Sequence, residues 1–371
     1  MRRISNLLLI FLTCFVSVVW PQTQTQVRRH KMIIFDVPGA GTAAGQGTMP
    51  VGIVQGDWIM GSYIDANNVA HGFLRAPQGT ITKFDITDGA IVAVWGMTPA
   101  LEIAGTYLDA NNVLHGFLRM PWGRIITIDA PGAAGTESES LNPAGVLQGD
   151  YADANGAYHG FLRAPEGTFT TFDPPDAGTG AYQGTYPAIF SGINPDGASV
   201  GEYYDANWVF HGYVRAPDGT ITEFDHPNAG TVAGQGTGTS GINPAGEIVG
   251  FYIDANNVFH GYLRSPEGGM TPVDVPGAGT GTYQGTYAAE YMYAFGGINP
   301  AGTITGYYAD KNSVYHGFLR TREGEFVRFN APGAGTGTWQ GTLSLNITPD
   351  GATTGWYIDA NGVYHGFLRM P

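Results

Sequence analysis

The sequence holds one cysteine, three lysines and no recognisable catalytic signature. The cysteine, Cys14, lies in an apolar stretch near the N-terminus, so the chain beyond it can form no disulfide and must be held by its core. Lys31, Lys83 and Lys311 are the only lysines, charged residues make up 13% of the 371 positions, and the formal net charge is −14. An acidic chain without a basic cluster is a poor partner for nucleic acid or an anionic membrane surface. No G-x-S-x-G, H-E-x-x-H, P-loop or Cys/His cluster occurs. The sequence therefore nominates no nucleophile, no metal centre and no cofactor site.

The N-terminus differs from the rest. Arg2 and Arg3 precede the apolar "NLLLIFLTCFVSVVW" (6–20), which a polar "PQTQTQ" (21–26) follows. A charged start, a short apolar run and a polar exit form the pattern of a secretory signal, and residues 1–26 are expected to be one. The run is shorter than the roughly 20 residues of a spanning helix, although a retained anchor is the alternative because no A-x-A-like cleavage site is visible. Leu12-Thr13 is a poor approach to a lipidated cysteine, so Cys14 reads as a signal residue. Its removal predicts a secreted, periplasmic or cell-surface protein, a monomer free of the membrane.

What is abundant points to short strands. Hydrophobic residues are 43% and aromatics 12%, with 57 Gly and 23 Pro. That is too apolar for disorder and too rich in turn formers for helices. One phrase, moreover, is written seven times: residues 64–75, 108–119, 152–163, 204–215, 253–264, 309–320 and 358–369, typified by "IDANNVFHGYLR". Its histidines, His71, His115, His159, His211, His260, His316 and His365, are spaced by 44, 44, 52, 49, 56 and 49 residues. Repeats of this length with four strand-like pieces each are the mark of propeller blades.

The frame is shifted. The first strand, 31–38, belongs to the fourth class of each unit, and the last, 363–371, to the third. Pairing the two completes a seven-bladed β-propeller of four-stranded antiparallel blades over residues 27–371 and removes an exposed edge. This closure resembles that of the WD-repeat propellers. The repeat resembles the extracellular HAF-repeat family over residues 31–371, including Gly-Ile-Asn-Pro segments at 241–244 and 297–300. Here His-Gly-Phe or His-Gly-Tyr stands for His-Ala-Phe, and Leu-Arg or Val-Arg for Leu-Trp. That resemblance implies export and repeat architecture, not an activity.

A residue set that recurs in every copy is expected to be architecture. An Asp lies six residues before each His (Asp254 before His260), and an acidic residue ten after six of the Args (Asp274 after Arg264), with Asn330 in the sixth unit. These are candidate hydrogen-bond partners for His and Arg inside the blades. By the same frame, Arg369 should find its counterpart in Asp36. The "DANN" and "DANG" turns begin like a Ca²⁺ loop but lack its further carboxylates and terminal Glu, and Asx turns account for them.

Function should lie where the copies differ. The divergent connections run from each fourth strand to the next first strand, and three set an aromatic before a glutamine: Tyr182-Gln183, Tyr283-Gln284 and Trp339-Gln340. Such pairs suit stacking on sugar rings with amide hydrogen bonds, or a protein interface, or simple packing over blade junctions. The reading is an exported, non-enzymatic binding or scaffold module with a carbohydrate or protein ligand on the loop face. The alternative is a secreted carbohydrate-active hydrolase or lyase with carboxylates around the central channel.

Overall fold

The computed structural model describes residues 31–87, 89–287 and 297–371. Residues 1–30, with the expected signal, lie outside the described residues, as does part of the 276–295 connection. One compact unit spans Lys31–Pro371. Among the described residues every regular element is a strand.

Gly, Asn and Pro turns every few residues leave no room for a helix, and the β-branched and aromatic residues between them favour extended backbone. The chain opens with β1 (Met32–Phe35). Antiparallel meanders follow, each of four short strands. The first is β2 (Gly47–Val54), β3 (Trp58–Ile64), β4 (Ala70–Arg75) and β5 (Ile81–Phe84). The second is β6 (Gly89–Met97), β7 (Ile103–Asp109), β8 (Leu114–Arg119) and β9 (Ile125–Ile128). The third is β10 (Gly135–Leu141), β11 (Leu147–Ala152), β12 (Tyr158–Arg163) and β13 (Phe169–Phe172). The fourth is β14 (Gly184–Pro187), β15 (Ser199–Tyr204), β16 (Phe210–Arg215) and β17 (Ile221–Phe224). The fifth is β18 (Gly236–Ile242), β19 (Ile248–Ile253), β20 (Phe259–Arg264) and β21 (Met270–Pro272).

The next group has its first strand in two described pieces, β22 (Gly285–Tyr287) and β23 (Gly297–Ile298), before β24 (Ile304–Ala309), β25 (Tyr315–Arg320) and β26 (Phe326–Phe329). The last is β27 (Gly341–Ile347), β28 (Thr353–Ile358) and β29 (Tyr364–Arg369). Its fourth member is β1, which pairs antiparallel with β29 from Met32↔Arg369 to Phe35↔Gly366.

At five junctions the groups are laced together by a parallel bridge from the start of a third strand to the glycine opening the next first strand. Tyr158↔Gly184, Phe210↔Gly236, Phe259↔Gly285 and Tyr315↔Gly341 are such bridges. Tyr364↔Gly47 is the same bridge between the last group and the first. A Cβ on Gly285 would collide with the Phe259 carbonyl, and φ is +119° there, so only glycine serves.

The core is built from the repeated phrase. The ring two residues after each motif His, Phe73, Phe117, Phe161, Tyr213, Tyr262, Phe318 or Phe367, is fully buried. Each contributes about 2–3 kcal/mol of apolar burial. The glycine between His and that ring makes room for a ring of its own group's fourth strand. A Cβ on Gly212 would stand 2.7 Å from the Phe224 ring, and one on Gly366 2.9 Å from Phe35. At Gly116 it makes room for the neighbouring group instead, since a Cβ there would stand 2.2 Å from Ser138 Oγ of β10.

The arginines do not pair with the acidic residues ten positions on. In five of the seven the guanidinium lies over the fourth-strand phenylalanine of the preceding group: Arg119 over Phe84 at 4.9 Å, Arg215 over Phe172 at 5.2 Å, Arg264 over Phe224 at 4.5 Å and Arg369 over Phe329 at 5.0 Å. Arg75 does the same over Phe35 of β1, at 4.8 Å. These cation–π contacts join neighbouring groups on one face.

Candidate functional site: the loop face

Hairpin register decides which side chains meet the motif histidines. The β20–β21 pairing sets Arg264 opposite Met270, so counting back across the turn puts His260 opposite Asp274. His260 Nδ1 bonds Asp274 at 3.0 Å, while Asp254, the partner expected from the sequence, lies 3.6 Å from Nε2. The same bond joins His71 to Asp85, His115 to Asp129, His159 to Asp173 and His211 to Asp225, at 2.6–3.0 Å. His316 takes Asn330 at 2.8 Å. His365 takes Asp36 of β1 at 3.1 Å, in the geometry of His260 and Asp274. Asp36 is thus the counterpart of Asp274, with histidine rather than Arg369 as its partner.

A tyrosine missed by the sequence reading completes the set. Tyr252, opposite His260 on β19, stacks on its ring at 4.7 Å, and Tyr63, Tyr107, Tyr151, Tyr203, Tyr308 and Tyr357 stack on the other histidines at 4.8–5.1 Å. The histidines are not deeply buried; their side chains keep 20–25% exposure. The bond to Asp274 raises the His260 pKa above its ordinary value, and Asp225 does so for His211. Asp65 and its equivalents close Asx turns: Asp65 Oδ1 accepts the N–H groups of Asn67 and Val69, and the Val69 bond leads in holding its carboxyl below the usual range.

The "QGT" of the divergent loops is also consumed by the fold. Gln183 Oε1 accepts Gly180 N–H (3.1 Å) and its Nε2 donates to Ala206 O (3.2 Å). Gln284 holds Gly281 N–H and Ser313 Oγ, and Gln340 holds Gly337 N–H and Ala360 O, at 3.0–3.2 Å. The threonine oxygen accepts an N–H from the preceding group, as from Val275 to Thr286. Each loop thereby ties the turn between the second and third strands of its own group to that of the group before. Tyr182, Tyr283 and Trp339 N–H donate to the carbonyls of Gly156, Asn257 and Ser313, and Gly45 N–H donates to Gly362.

What the architecture leaves over is the residue before each Gln. Gly45 and Gly234 fill it at φ +78° and +80°. Tyr182 (φ 62°), Tyr283 (φ 59°) and Trp339 (φ 60°) fill it in the same left-handed region, which bulky residues avoid. All three are exposed, at 67%, 57% and 41%. Among the described residues no ring contact joins the three. Tyr182 leans on Tyr158 (6.5 Å) and Trp339 on Tyr315 (5.7 Å).

Trp339 lines a cavity of about 440 Å³ whose walls include Tyr315, Trp356, Tyr364 and Trp95. Met49, Val51, Leu343 and Ile358 are among the apolar residues of the wall, and Ser62 adds a hydroxyl to those of Tyr315 and Tyr364. Such a volume fits one ring-sized ligand with an apolar face.

A second divergence lies at the third and fourth groups. In the second-strand motif "G-x-Y", x is Phe251, Tyr307 or Trp356 in the last three groups and Ser62 or Thr106 in the first two, but Asp150 and Glu202 here. Glu137 stands directly opposite Asp150 on β10, with Glu139 in the adjacent bulge. Asp150 and Glu139 are 2% and 7% exposed. Burial, then neighbouring carboxyls, push both well above the carboxylate range, and burial lifts Glu202 to about 8.

This arrangement defines a β-propeller with a ligand-sized cavity on its loop face. Solved structures agree on the fold. The chain is similar to streptogramin B lyase at 13% identity, covering 92% of this chain and 98% of that one, with a TM-score of 0.55. It is similar to the β-propeller domain of the Trilobed protease from Pyrococcus furiosus at 9% identity, covering 88% and 96%, with a TM-score of 0.53. It also matches the structure of prolyl endopeptidases at 9% identity, covering 92% of this chain but 50% of that one, with a TM-score of 0.52. The Pyrococcus domain is described as having an open velcro topology. No family model and no curated protein matches the chain.

Proposed function

We propose that the protein is an exported, closed ring of seven four-stranded blades that binds a ligand on its loop face without transforming it, and that it belongs with the HAF-repeat proteins. Closure is supported by four contacts at the junction of the last and first groups that copy those at other junctions: Tyr364↔Gly47, Arg75 over Phe35, His365–Asp36 and Gly45 to Gly362. Export rests on the charged and apolar N-terminal run.

The ligand presents a flat apolar face. Trp339 at the cavity carries this reading, because the fold pays for an exposed indole in a left-handed position where glycine serves two sister loops. The glutamines meant to hydrogen-bond sugar hydroxyls are turned into the loops, which removes the polar half of a carbohydrate site. A glycan remains the second reading, since Tyr182 and Tyr283 also project from this face. Hydrolase or lyase chemistry would need carboxyls in the cleft, and among the described residues the cavity wall has none.

Titration of tryptophan fluorescence with phenol, phenyl β-glucoside and glucose separates these readings. The account predicts saturable quenching by the first two and none by glucose, lost in Trp339→Ala. Binding of glucose that depends on Tyr283 would favour the glycan, and no saturation by any of the three would overturn both.

A further inference from the structure

We propose that the third and fourth groups carry a second ligand site, separate from the Trp339 cavity, that takes an organic ammonium cation. The carboxyls of Glu137, Glu139, Asp150 and Glu202 form its base, and the rings of Tyr158, Tyr182 and Tyr186 its wall. Glu137 and Asp150 are a directly opposed cross-strand pair, where like charges repel. No lysine or arginine is among the groups acting on any of the four carboxyls; their titratable neighbours are one another and the phenols of Tyr158, Tyr186 and Tyr213, with Asp173 beyond.

The site also carries an excess of acceptors. Gln148, fully buried, lies two residues before Asp150 on the same face of β11. Its Nε2 reaches the carbonyls of Ala188 and Val200, but its Oε1 finds no donor among the described residues. Glu139 Oε2 and Asp150 Oδ1 have none outside the hydrogen-bonded Glu139–Asp150 pair itself, and the fully buried Tyr213 hydroxyl has no partner among the described residues, whereas its equivalent Tyr262 donates to Gly238 O. Stranded acceptors beside carboxyls call for an incoming N–H donor.

The aromatic wall selects the kind of cation. Tyr158 stacks on Tyr186 at 4.9 Å and meets Tyr182 at 6.5 Å, and the charges of Asp150 and Glu137 are the leading carboxylate influences on both Tyr158 and Tyr186. π faces beside carboxylates fit an alkylammonium. A metal ion fits poorly, because among the described residues no three His, Cys, Asp or Glu side chains converge to hold one. Without a cation the buried acids keep protons, so binding must displace them and must tighten as pH rises.

Calorimetric titration of the full chain with butylammonium chloride at pH 6, 7 and 8 tests this, with tetramethylammonium, which has no N–H to donate, sodium and calcium chlorides as comparisons. The expected result is saturable alkylammonium binding that tightens up to tenfold per pH unit when one proton is released. It should weaken at least tenfold in Asp150→Asn and several-fold in Tyr182→Ala, a surface change that leaves the core intact. No saturable binding of butylammonium, equal binding of tetramethylammonium, calcium binding that displaces butylammonium, or affinity unchanged in both variants would each overturn the proposal.

Discussion

Raising the pH from 5 to 8 should weaken this fold. The cause is the buried acid group. An unfolded glutamate titrates near pH 4.3, whereas burial lifts Glu202 to about 8. Between these values the folded state holds a proton that the unfolded state has released, so stability falls by about 1.4 kcal/mol per pH unit for each such group. Over the whole window one fully buried group costs about 4 kcal/mol, and the partial exposure of Glu202 reduces its share to about 2. Glu139 and Asp150, which are more deeply buried, act in the same direction. The expected loss is on the order of 3–6 kcal/mol, a large part of a domain's net stability.

Other groups do not cancel this. Asp65 and its equivalents have lowered values, so their contribution is complete by about pH 5 and flat above it. His211 and His260 have raised values, and their contribution is lost as pH rises through them, which adds to the slope. Thermal melts followed by circular dichroism between pH 5 and 8 should therefore show a falling melting temperature. The double variant Glu139→Gln, Asp150→Asn should flatten part of the fall, leaving the share of Glu202 and the histidines. A melting temperature that is constant or rising from pH 5 to 8, or a slope unchanged in the double variant, would refute the reasoning.

Further outcomes follow from the same contacts. His260→Ala and Asp274→Ala should each cost about 1–2 kcal/mol in urea denaturation, and the double variant barely more than either, because both remove one bond; additive losses would separate the pair. Trp339→Gly and Tyr182→Gly should leave stability unchanged or raise it by up to about 1 kcal/mol, since glycine suits φ near +60°, while Trp339→Gly abolishes ligand quenching; a marked loss of stability would mean these rings are packing residues. Arg264→Ala should cost about 1–2 kcal/mol through the lost contact with Phe224; a neutral result would deny the arginines their part in joining neighbouring groups.

The strands were legible because turn chemistry punctuates them: "AG", "ANN" and "EG" mark the joints of the fifth unit, and β18 to β21 lie between them. The shifted frame of β1 was legible because "KMIIFDVP" copies the fourth strand of the other units. The Asp six residues before each His is legible as a neighbour and lies 3.4–3.9 Å from Nε2, whereas the closer partner at Nδ1 shows only in a count across the next turn. Counting across the Ser265–Gly269 turn sets residue 264 against 270 and so 260 against 274. The stacking tyrosine stands eight residues before every motif histidine and was open to the same count. The acid site was not legible: "TESES" alternates like a solvent-facing strand, yet Glu139 is buried in the fold. The cavity too depends on which first strands become neighbours, which no local pattern encodes.

The account rests on β1 serving as the outer strand of the last group. Ile33 and Leu368 are register partners 335 positions apart, at a spacing between antiparallel strands of about 4.5–5.5 Å that a disulfide can bridge. In a Cys14→Ser background, the variant Ile33→Cys, Leu368→Cys should oxidise to a cross-linked monomer that migrates faster on a non-reducing gel and melts at a higher temperature than its reduced form. Cysteines that stay free under oxidation, or cross-link only between molecules, would contradict the closure.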